Sequence, residues 1–338
     1  MAVRSTVGGA HRSSESGHGS RNGLRRSREA GMTGRWAAAR FVPGRHRSTG
    51  IDVGAGEVRI VVLSRRGRVA DVRIEALERE PLVLPEGADA RWAAVARALS
   101  AAVARLTGAG VRCDTRGVMA LRDDEMRTAT LDLAGRDDVA DAARQAAERI
   151  SGLAPDSIAF DWRHDDGACA QEIAVAAAPL ALLERRIDVA AQAGIDLTAV
   201  DSESAAALRA LRYAAQFELD AQGPYAALWF SDAGVRGWRI DGALAAPMLA
   251  LPADMPGALA DALRAGAPEP VGCVLVAGDE RCVARFGLSL ADIGDALGAT
   301  SVPFDCTGWD GRPIAPAGVP SAPAFAVAFG LALRGVWE

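Results

Sequence analysis

One pattern occurs twice in this chain. "GIDVGAGEVRIVVL" (residues 50–63) and "YAALWFSDAGVRGWRI" (225–240) each read as an apolar strand ending in an acid, a glycine-bearing turn and a returning strand. Helices follow both copies. A repeated supersecondary unit must bury the same faces each time it occurs, so the pattern predicts two similar lobes rather than one continuous sheet.

The remaining elements fit around these hairpins. After residue 63, "RRGR" (Arg65 to Arg68) reads as a turn, and "VADVRIEALERE" as a third antiparallel strand. "DARWAAVARALSAAVARLTGAG" places Trp92, Val95, Leu99, Val103 and Leu106 on one helical face, with Gly108 and Gly110 at its end. Short strands follow at Arg116–Leu121 and in "MRTATLDL", then a helix that opens on acids, as the helix dipole favours, and stops before Pro155. "SIAFDWRH" and "AQEIAVAAAP" read as a strand pair joined by "DDGA". A helix ending at Gly194 leads to a strand that finishes in Asp201, and to a new helix with Ser202 or Ser204 as its N-cap. The pattern restarts after "DAQGP". It then runs through the helix "MPGALADALRAG", the strand "GCVLVAGDE" and an apolar closing helix, "APAFAVAFGLAL".

Composition narrows the chemistry. All 38 Lys+Arg positions are arginine, which excludes any mechanism that needs a lysine on a phosphate or in a Schiff base. The five cysteines form no CxxC pair, so buried thiols are expected rather than a zinc site or a disulfide framework. No run reaches about 18 apolar residues, the length a membrane helix needs. Residues 1–48 are rich in Gly, Ser and Arg, and basic where the whole chain carries −5. Such a segment buries too little apolar surface to offset its ordering entropy and is expected to be disordered. It lacks the apolar core of a secretory signal, and it has too few aromatics to suggest a specific nucleic-acid site. His164, the only histidine outside this arm, is expected in a solvated turn.

From about residue 49 to 336 the order of these pieces resembles the actin-like ATPase superfamily, whose ribonuclease H-like fold has two lobes. Within its FtsA-like branch the chain resembles the PilM family of type IV pilus assembly proteins. Four stretches carry the resemblance: "GIDVGAGEVRIVVL"; "DSIAFDWR" with "QEIAVAAAPLALLERRIDVAAQAGIDLTAVDSESAAALRAL"; "VLVAGDE"; and "AFAVAFGLALRG". The resemblance implies a first lobe of residues 49–120 and 179–222, an inserted subdomain at 121–178 with two strands, a helix and two more strands, and a second lobe at 223–338.

It also implies ATP with Mg²⁺ in the cleft. Asp52, Gly54, Ala55, Gly56 and Arg59 match the first phosphate hairpin, Asp232 and Gly234 the second, and Gly278 the adenosine side. Asp52 and Asp232 would hold Mg²⁺ through water. Asp201 and Glu203 stand where the fold places an acid that orients attacking water. The chain departs from the pattern at Ala55 and Gly56, where relatives often carry hydroxyls, at Arg59 in place of lysine, at "VRGW" with its bulky Arg236 and Trp238, and at Asp279 beside Gly278. Asp-x-Gly tips are also ordinary turn chemistry without any ligand, and Asp201 and Glu203 are also ordinary helix-start residues.

The family's function is then an expectation. It is a cytoplasmic scaffold at the inner membrane that binds the N-terminal tail of a PilN-like protein in a groove between the first lobe and the inserted subdomain. Other pilus platform proteins and a second copy of the chain are further partners, in a pilus for twitching motility or for DNA uptake. ATP turnover would be weak at most. Two rivals share the fold: a small-molecule kinase, and the cytoplasmic part of a type II secretion platform.

Overall fold

The computed structural model describes residues 2–3, 46–65, 72–113, 116–134, 138–164, 172–219, 223–267, 269–306 and 322–337. Most of the arm, the turns expected at 66–68 and 165–168, and most of the break at 220–224 lie outside the described residues.

The first sheet orders its strands β1 (Ala2–Val3), β9 (Leu197–Ser202), β5 (Gly117–Leu121), β2 (His46–Val53), β3 (Glu57–Arg65) and β4 (Val72–Pro81). The second orders β12 (Leu244–Pro252), β11 (Gly234–Asp241), β10 (Tyr225–Ser231), β13 (Cys273–Gly278) and β14 (Thr300–Pro303). The run β4-β3-β2-β5-β9 has the same order and strand directions as β12-β11-β10-β13-β14: an antiparallel meander extended by two parallel strands. The duplication read from the two hairpins is therefore a duplication of whole sheets.

The central strands of both sheets are buried on both faces, and the two-residue period of a strand divides the core. Ile60 and Val62 pack with α1 (Ala88–Gly108) and α3 (Leu180–Gln192). Val61 and Leu63 face the other way, against α4 (Glu203–Glu218) and α8 (Ala326–Trp337). In the second lobe Ala227 and Trp229 join that same central cluster, while Leu228 and Phe230 pack on α5 (Leu259–Gly266), α6 (Glu280–Arg285) and α7 (Leu290–Leu297). The closing helix α8, buried from Ala326 to Val336, thus lies in the core that joins the two lobes. Its close approach needs glycine. A Cβ on Gly330 would stand 1.8 Å from the Ala206 carbonyl, and one on Gly50 would stand 1.9 Å from the Ala328 carbonyl.

The inserted subdomain is a three-stranded sheet, β6 (Arg127–Asp132), β8 (Glu172–Pro179) and β7 (Ile158–His164), under α2 (Val139–Ser151). Only one strand, β6, precedes its helix, not two; β5 pairs in parallel with β2 and β9 of the first lobe. Its five buried residues in a row had no alternation to show which sheet owned them. Ser202, not Ser204, caps α4, accepting from the Ala205 amide at 3.2 Å. His164 ends β7 with its ring edge-on to Trp162, instead of sitting in a turn. Three strands went unread, among them the short β14 in a stretch with no strand pattern. β12 is an edge strand with a weak apolar pattern and two prolines. Ala2–Val3, within the arm, pairs antiparallel with Asp201 and Val200.

Candidate functional site

The two hairpin tips face one another across the interlobe cleft. They border a cavity of about 540 Å³ lined by Asp52, Arg59, Trp92, Glu203, Asp232 and Asp279, among others. At the first tip Gly54 donates its amide to Glu57 O at 3.0 Å, closing the turn. The next amide, Ala55 N, donates across the cleft to Asp232 Oδ2 at 3.2 Å. Gly56 leaves room for the Arg281 guanidinium, which would lie 3.5 Å from a Cβ there.

Arg59 is the centre of the site. It arises on β3, opposite Asp52 in the hairpin register, and is buried. Its Nη1 meets Asp52 Oδ2 at 3.1 Å, its Nε meets Glu57 Oε1 at 2.6 Å and its Nη2 meets Asp279 Oδ2 at 2.9 Å. Each nitrogen of the guanidinium therefore serves a different carboxylate. Burial pushes the Asp52 carboxyl above its ordinary range, against the pull of Arg59. Asp279 is held down to about 2, chiefly by hydrogen bonds from Arg281, whose Nη2 lies 2.9 Å from Oδ2. Arg285 in turn donates to the Asp232 carbonyl at 3.0 Å.

Gly234 of the second hairpin and Gly278 at the end of β13 have packing reasons. Gly234 has φ +142°, and a Cβ there would stand 2.1 Å from Leu251 O. Gly278 has φ +129°, and its Cβ would stand 2.3 Å from Phe230 O. Both allow neighbouring strands to approach. Arg236, out of place in a phosphate cradle, reaches Asp123 Oδ2 at 2.7 Å, close enough for an ion pair although not aligned for a hydrogen bond. Trp238 packs on the central core.

The two candidate catalytic acids separate. Glu203 lines the cavity and accepts from the Asp123 amide at 3.3 Å. Burial first, then the charges of Asp123 and Asp52, raise its carboxyl to about 8. Asp201 is not among the cavity-lining residues. Its Oδ2 is gripped by Arg209 at 2.8 Å and by Arg334 of α8 at 3.2 Å. Burial works to raise its pKa, but these guanidinium charges outweigh it and hold it low. Asp201 ties β9 to α4 and α8. Sequence reading missed the Asp123–Arg236 and Ala55–Asp232 contacts, since nothing in the spacing of residues over 100 apart announces them.

Two lobes of like topology, each opened by a glycine hairpin at a shared cleft, define an actin-like ATPase fold. The chain is similar to a chain of the PilM–PilN type IV pilus biogenesis complex, with TM-score 0.60 and 20% identity, covering 86% of this chain and 98% of that one. Its fold is thus PilM-like. The cytoplasmic domain of EpsL, an inner-membrane component of the type II secretion system of Vibrio cholerae, is also similar, at TM-score 0.40 and 8% identity over 68% of this chain and 81% of that one. So is the ethanolamine utilization protein EutJ from Carboxydothermus hydrogenoformans, at TM-score 0.40 and 12% identity over 86% and 90%. No family model and no curated protein matches the chain. No helix among the described residues is long and apolar enough to cross a membrane.

The fold family implies Mg²⁺-ATP in the cleft, and the donor set here does not suit it. The hairpin amide that would meet a phosphate oxygen already meets Asp232, and the carboxylate that would face a hydrated metal already holds Arg59. Among the described residues no group of three or more His, Cys, Asp or Glu could hold a metal ion.

Proposed function

We propose that this protein is a cytoplasmic assembly scaffold of a type IV pilus, which binds the extended N-terminal tail of a PilN-like inner-membrane protein. The observation that carries the reading is the edge of β9. It accepts an antiparallel strand, here the chain's own Ala2–Val3, which lies against β7 and β8 of the inserted subdomain, and Val200 of β9 shares a buried cluster with Ala159 of β7 and Ala178 of β8. An edge that takes one short strand offers main-chain hydrogen bonds to another. The likeness to a chain of the PilM–PilN complex over nearly its whole length supports the same reading.

A small-molecule kinase on this fold is less well supported. Such an enzyme needs free phosphate hairpins, whereas the Ala55 amide is taken by Asp232; of the two candidate acids only Glu203 lines the cavity, while Asp201 is bound to α4 and α8.

The test is calorimetric titration of the full chain with a synthetic tail of the co-encoded PilN-like protein. Saturable binding with Kd at or below about 10 µM, roughly −7 kcal/mol, supports the scaffold. No heat at any peptide concentration, together with ATP consumption that depends on an added metabolite, would replace it with the kinase.

A further inference from the structure

We infer that the interlobe cleft is closed by the protein's own charges, with the Arg59 guanidinium standing in for a metal cation and the Asp232 carboxylate for a phosphate, so that lobe closure needs no metal–nucleotide complex. The inference is independent of which partner the scaffold holds.

A metal-bound nucleotide closes a two-lobed cleft by giving both lobes the same charged object to hold. Three contacts already do this. Arg59 of β3 meets Asp279, the residue that caps α6, at 2.9 Å. The Ala55 amide at the β2–β3 tip meets Asp232 at the β10–β11 tip at 3.2 Å. Asp123, which follows β5, meets Arg236 of β11 at 2.7 Å. Each runs from the first lobe to the second.

The signs match the replacement. Asp52 faces the centre of the cleft, where a hydrated cation would balance it, and it is balanced by Arg59 at 3.1 Å. Glu57 and Asp279 share the same guanidinium. A triphosphate entering here would meet the cavity-lining Asp52, Asp232 and Asp279, and two of the arginines that line the same cavity, Arg59 and Arg281, are already paired with two of those carboxylates. Like charges at such separations repel strongly where water is thin. An arginine is suited to the role because it stays charged at any physiological pH, and its planar fork serves several carboxylates at once.

The departures from the phosphate-binding pattern then form one set. Arginine in place of lysine, aspartate after Gly278 and arginine within "VRGW" are residues that meet across the cleft. Their positions in sequence are 59, 236 and 279, so no local reading links them.

The experiment follows hydrogen exchange in the segments 52–58 and 230–236 of the full chain, read by mass spectrometry, with and without 1 mM Mg²⁺-ATP. A fluorescent ATP analogue with Mg²⁺ is titrated in parallel. Wild type is expected to show unchanged exchange in both segments and no saturable binding. Arg59→Gln is expected to speed exchange in both by about tenfold or more, as the local opening energy falls. Asp279→Asn, which keeps an acceptor at the α6 N-terminus, is the second variant and is expected to act in the same direction if Arg59→Gln fails to fold. Saturable analogue binding by wild type, or exchange slowed by Mg²⁺-ATP, would overturn the inference. So would unchanged exchange in Asp279→Asn.

Discussion

Arg59 and Asp279 meet at 2.9 Å across the interlobe cleft, although 220 residues separate them. The pair joins the β3 strand of one lobe to the start of α6 in the other, and Arg59 also neutralises the buried Asp52. Replacing Arg59 by methionine therefore leaves a buried carboxylate without its cation. Breaking such a pair from one side costs about 3–5 kcal/mol. Urea denaturation of Arg59→Met should show a midpoint lowered accordingly. Arg59→Met combined with Asp52→Leu should recover much of the loss, because the stranded charge is then gone.

Glu203 supplies a pH signature. Its pKa rises from 4.5 unfolded to about 8 folded, so the folded state holds the proton more tightly. The stabilisation this gives is complete below about 4.5 and fades as pH rises through 8. Glu203→Gln keeps the shape without the titration. Between pH 6 and 9 the variant should lose less stability than wild type, by about 1–3 kcal/mol. Thermal unfolding across that range reads the difference directly.

Gly330 in α8 packs against α4 so closely that a Cβ would lie 1.8 Å from Ala206 O. Backbone on both sides leaves nothing flexible to move. Gly330→Ala should cost about 3 kcal/mol or more and lower solubility, despite alanine's better helix propensity. A Tm equal to wild type would mean that α8 shifts freely, contrary to its burial between the lobes.

The pairing of Ala2–Val3 with β9 makes the chain's own N-terminus a competitor for that edge. Val3→Pro removes an amide and disfavours the added strand. Titration with the partner tail should then show tighter binding, by about threefold to tenfold, or 0.7–1.4 kcal/mol. Equal affinity in the two proteins would place the tail elsewhere.

The hairpins, the amphipathic α1 and the apolar α8 were legible because their patterns are local. Strand alternation, a helical face and a solid apolar run are each visible within 20 residues. The same residues do not say where the charges go. "DVGAGEVR" announces a glycine turn beside an acid and an arginine. It leaves open whether that acid faces a metal, water or Arg59, because the answer depends on Asp279 and Asp232 arriving from the other lobe. Asp201 is the converse case. Its place at a strand end suits a cleft acid, yet Arg209 and Arg334 claim it from α4 and α8. Sequence alone determined the two hairpin-led lobes, because backbone propensity and burial act between near neighbours. Tertiary structure alone decided that Arg59 meets Asp279 and Arg236 meets Asp123 across the cleft, because ion pairing acts through space between residues the chain keeps far apart.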